Sequence, residues 1–212
     1  MDGEISGVEP VTDFLLELRC EEIPARMQEK ARADLAALFE ARVKALNLAF
    51  ESIETYATPR RLALIMRGVA DNTTAATEER KGPRADAPAQ AIEGFLRSTG
   101  LAREQLVERD DGKGGKILFA VVERPGLPAP SVLASAAQAA IHNFPWPKSM
   151  RWGEASASTE SLRWVRPLQG IVALYGDAIV PFEVAGVKSG AATVGHRFHH
   201  PGWITIGGAS DY

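Results

Sequence analysis

The chain has 212 residues, of which 45% are apolar, and a formal charge of −3; that is enough to build the core of one large domain or two small ones. The acidic balance, with an isoelectric point near 5.9, excludes a uniformly basic coat, so any contact with nucleic acid has to come from local cationic clusters. A single cysteine, Cys20, excludes an internal disulfide and a cysteine-rich zinc site and points to a reducing compartment. The start, Met1-Asp2-Gly3-Glu4, is acidic where a secretory leader is basic, and no apolar run reaches membrane-spanning length. A cytoplasmic protein without membrane contact is expected.

Residues 1–12 carry Gly, Pro and acids without a period and are expected as a flexible lead-in to an α+β body over 13–212. Phe14 to Arg19 reads as a buried strand. Pro24 suits the first turn of a helix, Glu21 and Glu22 sit where acids favour a helix start, and Met27, Ala31, Leu35, Leu38, Phe39, Val43 and Leu46 recur at steps of three and four, so an amphipathic helix runs to about Asn47. Ile53 to Ala57 and Leu62 to Met66 read as two strands around the Thr58-Pro59 break. From 71 to 89 the apolar period stops; a long exposed loop is expected, and it marks a candidate seam between two subdomains.

Ala91 to Arg97 reads as a short helix closed by Gly100. Leu106 to Arg109 and Ile117 to Val122 flank Asp110-Asp111-Gly112-Lys113-Gly114-Gly115, a hairpin tip; the glycine spacing is not that of a Walker loop. Val132, Leu133, Ala136, Ala137, Ala140 and Ile141 mark a second substantial helix with Ser131 as candidate cap, ended by Pro145 and Pro147. Gly170 to Tyr175 and Ala178 to Val184 form a hairpin around Gly176-Asp177, Val187 to Gly190 reads as a turn, Thr193 to Phe198 as extended, and Trp203 to Ile206 as a last strand. The tally is about eight to ten strands, two substantial helices and several hairpins: α+β with a mixed, largely antiparallel sheet.

The stretch from Trp146 to Pro167 alternates cations with indoles: Lys148, Arg151, Arg163 and Arg166 among Trp146, Trp152 and Trp164. Guanidinium groups take phosphate oxygens in pairs and indole faces stack on bases, so the pattern suits RNA. It suits packing and ion pairing equally, and the residue types leave both readings open. Arg80, Lys81 and Arg84 around Gly82-Pro83 make a second cationic spot among Glu78, Glu79 and Asp86. Arg60 and Arg61 follow Thr58-Pro59, exposed enough for a phosphate or a partner carboxylate; internal pairing of one of them with Glu17 or Glu21 is the other reading. Strand alternation sends the two to opposite sides, so they are expected to do different jobs.

His196, His199 and His200 invite a metal reading, yet only His142 and Cys20 remain as further ligands of that type and the spacing fits no zinc pattern, so none is expected. Carboxylates beside Cys20 raise a thiol's pKa and suit a buried filler better than a nucleophile. No catalytic residue is assigned.

Taken together, Leu15-Leu16-Glu17-Leu18-Arg19-Cys20-Glu21-Glu22-Ile23-Pro24, Thr58-Pro59-Arg60-Arg61-Leu62-Ala63, Lys81-Gly82-Pro83, the Arg/Trp stretch and Gly195-His196-Arg197-Phe198 resemble, in order, the start of the beta subunit of the bacterial two-subunit glycyl-tRNA synthetase. The family's chain is far longer, so the resemblance covers its N-terminal portion. It implies a non-catalytic part of an α2β2 ligase that joins glycine to tRNA through an adenylate. ATP and Mg are then expected on the alpha subunit, with no cofactor on this stretch. The implied partners are the alpha subunit, glycine tRNA and a second beta subunit. Candidate contacts with tRNA or partner are Arg60, Arg61, Lys81, Arg84, Lys148, Arg151, Arg166 and Arg197, with Trp152 as stacking platform. Two other classes stay open, an editing-type hydrolase on mischarged tRNA and a pure protein-interaction module.

Overall fold

A computed structural model gives the structure, which describes residues 11–110, 115–158, 161–196 and 198–212. The lead-in at 1–10, the hairpin tip at 111–114 and Arg197 lie outside the described residues. The chain divides into two compact units, one of residues 1–73 with 127–212, the other of residues 74–126.

The first unit is built on β1 (Val11–Cys20), whose residues Phe14 to Leu18 are all buried. A strand apolar on both sides needs cover on both faces, and it has it. β1 pairs antiparallel with β3 (Arg61–Ala70) and with β7 (Leu168–Tyr175). β2 (Ser52–Thr58) extends the sheet beyond β3; β10 (Val187–Gly190) runs parallel to β7 and carries β9 (Glu183–Val184), and β8 (Ala178–Ile179) also pairs with β7. The sheet is therefore mixed and largely antiparallel, the α+β class expected.

Even-numbered residues of β1 face α1 (Ala25–Ala45) and α3 (Ala129–His142). α1 buries Met27, Ala31, Leu35, Phe39 and Val43, the stripe legible in the sequence, and each large apolar side chain so buried is worth about 1.5–3 kcal/mol. Phe39 stacks on Phe14 of the sheet, ring centroids 5.6 Å apart. Odd-numbered residues face the other way, where Leu15, Ile65, Val172 and Leu174 meet Ile206 and Ala209. That second cover is the C-terminal segment, with a hairpin of β11 (Ala192–Val194) and β12 (Trp203–Thr205).

The second unit is a three-stranded antiparallel sheet, β4 (Ala76–Arg84), β6 (Lys116–Arg124) and β5 (Leu106–Asp110), with α2 (Ala89–Thr99) capped by Gly100 at φ 70°. α2 packs on β4 at Gly82, where a Cβ would fall 2.4 Å from the Phe95 ring. Close approach of an aromatic ring thus explains Gly82, and Pro83 sits at the irregularity in the β4–β6 ladder where its missing N–H is tolerated.

Four expectations need correction. Residues 71–89 are not one long loop: β4 occupies 76–84 and pairs with β6. None of its described side chains is buried, so it has no apolar period, and its ladder supplies what patterning does not. The lead-in ends sooner than residue 12, since Val11 and Thr12 already pair with Ala70 and Val69. Val187 to Gly190 is a strand, the turn falling instead at Ala185-Gly186 with φ of 53° and 80°. α3 is entered from Pro128, which leaves Ser131 inside the helix.

Candidate functional site

A cleft of about 290 Å³ opens at one end of the sheet of the first unit, lined by Arg19, Cys20, Glu22, Thr58 to Arg61, Gln169, Val194, Gly195 and His196. Three blocks far apart in sequence thus meet there. β1 and β3 lie side by side, so Arg19 stands directly across from Arg61; on the other flank Arg19 faces Gly170 of β7.

Each arginine is held differently. Arg61 forms an ion pair with buried Glu17, Nε to Oε2 3.1 Å, and donates to the Val194 carbonyl of β11. Glu17 also accepts hydrogen bonds from the Thr193 hydroxyl and, at 2.7 Å, from the Tyr212 hydroxyl; burial, then the Glu17 charge, pushes the Tyr212 pKa up. Arg60 pairs with Glu21 at 3.3 Å in a much more exposed setting, and Glu21 also accepts from Gln169 at 2.5 Å. Sequence reasoning allowed one internal pair; both form, to different acids, as alternation along the strand requires. Arg19 donates Nη1 to Gln169 Oε1 at 3.0 Å and Nη2 to the Gln169 carbonyl at 3.1 Å. Burial lowers its pKa, the Arg61 and Arg60 charges adding to the effect and Glu17 opposing it.

His196 shapes the wall. Its Nδ1 accepts the backbone N–H groups of Phe198 and His199, each at 3.3 Å, its carbonyl accepts the His200 N–H at 2.7 Å, and its ring lies 4.6 Å from that of His199. Among the described residues no group of three or more His, Cys, Asp or Glu is placed to hold a metal. Cys20 is buried, and desolvation pushes its thiol from the ordinary 9.0 up to about 11. A thiol so held is a weak nucleophile at neutral pH.

The remaining candidates spread out. Lys148, Arg151 and Arg166 are exposed, Arg166 donating to the neighbouring Val165 carbonyl at 2.8 Å. Trp152, expected as a stacking platform, is half-buried and packs against the main core. Trp164 is wholly buried, and Trp146 and Phe144 pack around it with centroids 5.0 and 4.8 Å away. For the indoles of this stretch the packing reading holds. Lys81 and Arg84 lie in the second unit; Lys81 is exposed on β4, and Arg84 Nε is 3.2 Å from Asp86. Arg197 lies outside the described residues.

Sequence reasoning missed Arg19, Gln169 and Trp203. The Arg19 guanidinium lies 5.8 Å from the centroid of the Trp203 ring, a side chain 71% exposed. Period-two alternation through Leu15, Glu17 and Arg19 was the available signal, since it puts Arg19 on the face of buried Glu17.

The sequence pattern of the family described as "Glycyl-tRNA synthetase beta subunit" matches residues 14–212. A protein of Paracoccus denitrificans named glycine–tRNA ligase beta subunit is 50% identical over 204 residues, 94% of this chain and 29% of its own. Proteins of the same name from Cereibacter sphaeroides and a Ruegeria species are 51% and 46% identical over 94% and 95% of this chain. The chain thus spans under a third of the length of these relatives, 28% or 29% of each. Although Glu22 and His196 share a cleft, nothing in these likenesses supports the hydrolase reading.

Proposed function

Because the chain belongs to the glycyl-tRNA synthetase beta subunit family, corresponding to the N-terminal portion of its longer relatives, we propose that it serves the ATP-dependent joining of glycine to tRNA by holding the tRNA. ATP, Mg and the adenylate chemistry belong, on this reading, to the alpha subunit. The chain's own residues bind and orient, with no reactive centre among them. Supporting this is the convergence of three arginines, Arg19, Arg60 and Arg61, on one open cleft; guanidinium forks match phosphate oxygens. Exposed Lys148, Arg151 and Arg166 offer further phosphate contacts, and Lys81 and Arg84 offer others on the second unit.

Contact with the alpha subunit is the second reading, favoured by the pairing of Arg60 and Arg61 with Glu21 and Glu17, which occupies groups an RNA would otherwise use. A second beta subunit would complete an α2β2 assembly. The test is retention of this chain on immobilised glycine tRNA and on alpha subunit, over a range of salt. With Arg151 and Arg166 replaced by Gln, tRNA binding weakens and the salt slope falls by about one ion per lost contact. Retention on alpha subunit with no retention on tRNA at any salt concentration refutes the tRNA reading.

A further inference from the structure

Arg19 differs from the other two arginines of the cleft. Arg61 and Arg60 each have a carboxylate, whereas Arg19 is held by the neutral side chain and carbonyl of Gln169 and has no carboxylate within ion-pair distance among the described residues. Its position is prepared. Gly170 lies beneath the guanidinium, close enough that an added Cβ would come within 3.1 Å of Nη2, and the Gln169 bonds fix two of its nitrogens while Nε stays clear of them. A fixed cation with no carboxylate in ion-pair contact can take an anionic ligand.

Beside it stands the Trp203 indole, 71% exposed at the end of the β11–β12 hairpin. Phe198, 74% exposed, follows His196 by two residues. Guanidinium and exposed indole together match the two halves of a nucleotide, a phosphate oxygen and a base face, and only an unpaired base has its face free. An acidic peptide would use Arg19 but gains little from the indole, and an RNA duplex would use the charge alone.

We propose that Arg19 and Trp203 form a subsite for an unpaired nucleotide of RNA, the phosphate on the Arg19 guanidinium and the base stacked on the indole. It rests on the reading that this chain holds tRNA and specifies which chemical feature of the tRNA the cleft takes. Glu22, which also lines the cleft, supplies an acceptor able to meet the edge of the base.

The experiment titrates this chain with a labelled single-stranded RNA hexamer, a blunt RNA duplex of the same composition, and hexaglutamate as competitor. The single strand should bind at least about tenfold more tightly than the duplex, and Trp203→Ala should lose at least about tenfold of that affinity while Trp203→Phe retains most of it. Arg19→Gln should weaken single-strand binding and lower its salt slope by about 0.7. Thermal melts of each variant establish that the fold is intact, and quenching of the wild-type tryptophan emission by the single strand, lost in Trp203→Phe, reports stacking directly.

Equal affinity for strand and duplex, or an unchanged Trp203→Ala, overturns the subsite; if Arg151 and Arg166 variants still weaken tRNA binding, the broader tRNA reading survives. Full competition by hexaglutamate overturns it in favour of an acidic protein segment. Absence of all RNA binding, with retention on alpha subunit, overturns both readings.

Discussion

Arg61 meets Glu17 where β1, β3 and the C-terminal segment come together: Nε lies 3.1 Å from the carboxylate, whose side chain is 1% exposed against 25% for Arg61. Adjacent Arg60 pairs with Glu21 at 3.3 Å, but with 39% and 42% of the two side chains exposed. Two neighbouring arginines therefore carry very different energetic weight. Removing Arg61 leaves a buried carboxylate without its cation, a cost of about 3–5 kcal/mol, whereas an exposed pair contributes about 0–1 kcal/mol. Urea unfolding of Arg61→Ala and Arg60→Ala should show the first strongly destabilised and the second close to wild type; equal effects would contradict this assignment.

Cys20 predicts a pH dependence. Its folded-state pKa is raised, to about 11 against an ordinary 9.0, so between those values the unfolded chain releases the proton first and the native state holds more protons. Stability from this group is complete below pH 9.0 and is lost as pH rises through 11. The loss amounts to about 2–3 kcal/mol. Tyr175, pushed up to about 12 mainly by burial, adds a further decline in the same direction. Comparing Cys20→Ala with wild type isolates the thiol: the gap between their unfolding free energies should narrow between pH 9 and 11 and stay constant from pH 6 to 8. A constant gap throughout would show that the thiol titrates normally.

What could be read from the sequence was what local periodicity records. α1 announced itself because Met27, Ala31, Leu35, Phe39 and Val43 repeat at the helical step, and β1 because Phe14 to Leu18 is buried on both faces. β4 gave no such sign, being held by its ladder with β6 rather than by buried side chains of its own. Nor did β10, whose pairing with β7 is parallel and non-local. For the cleft, the blocks at Arg19 to Glu22, Thr58 to Arg61 and Gly195-His196 were visible as separate motifs, while their convergence was not. Arg19 meets Gln169 across 150 positions of sequence, and Trp203 comes beside Arg19 because the C-terminal segment covers that face of the sheet. Composition misled at the Arg/Trp stretch: alternation of cations and indoles looked like one RNA surface, but Trp164 is core and Trp146 and Trp152 are half-buried, while Lys148, Arg151, Arg163 and Arg166 are exposed.

The tryptophans separate by consequence. Trp164 is fully buried among Phe144 and Trp146, so Trp164→Ala should cost about 3–5 kcal/mol. Trp203 is 71% exposed, and Trp203→Ala should lie within about 0.5 kcal/mol of wild type. Denaturant midpoints at unchanged slope decide this, and a large loss at Trp203 would mean that its ring anchors the C-terminal segment rather than facing a ligand.

Two glycines of the cleft region make a final contrast. At Gly195 an added Cβ would fall 2.3 Å from the backbone oxygen of His200, whereas at Gly170 it would fall 3.1 Å from the end of the Arg19 side chain. A flexible guanidinium can step aside; a carbonyl held in a turn moves only with its backbone. Gly195→Ala should therefore destabilise the turn by about 1–3 kcal/mol and speed exchange of the His200 amide, which donates to the His196 carbonyl at 2.7 Å. Gly170→Ala should leave the melting temperature nearly unchanged yet dislodge Arg19 from Gln169. Hydrogen exchange at His200 in both variants distinguishes the cases, since only the substitution that displaces backbone should expose that amide. If Gly170→Ala also opens the turn, the Arg19 row and the His196 wall are mechanically joined, and the cleft yields as one body.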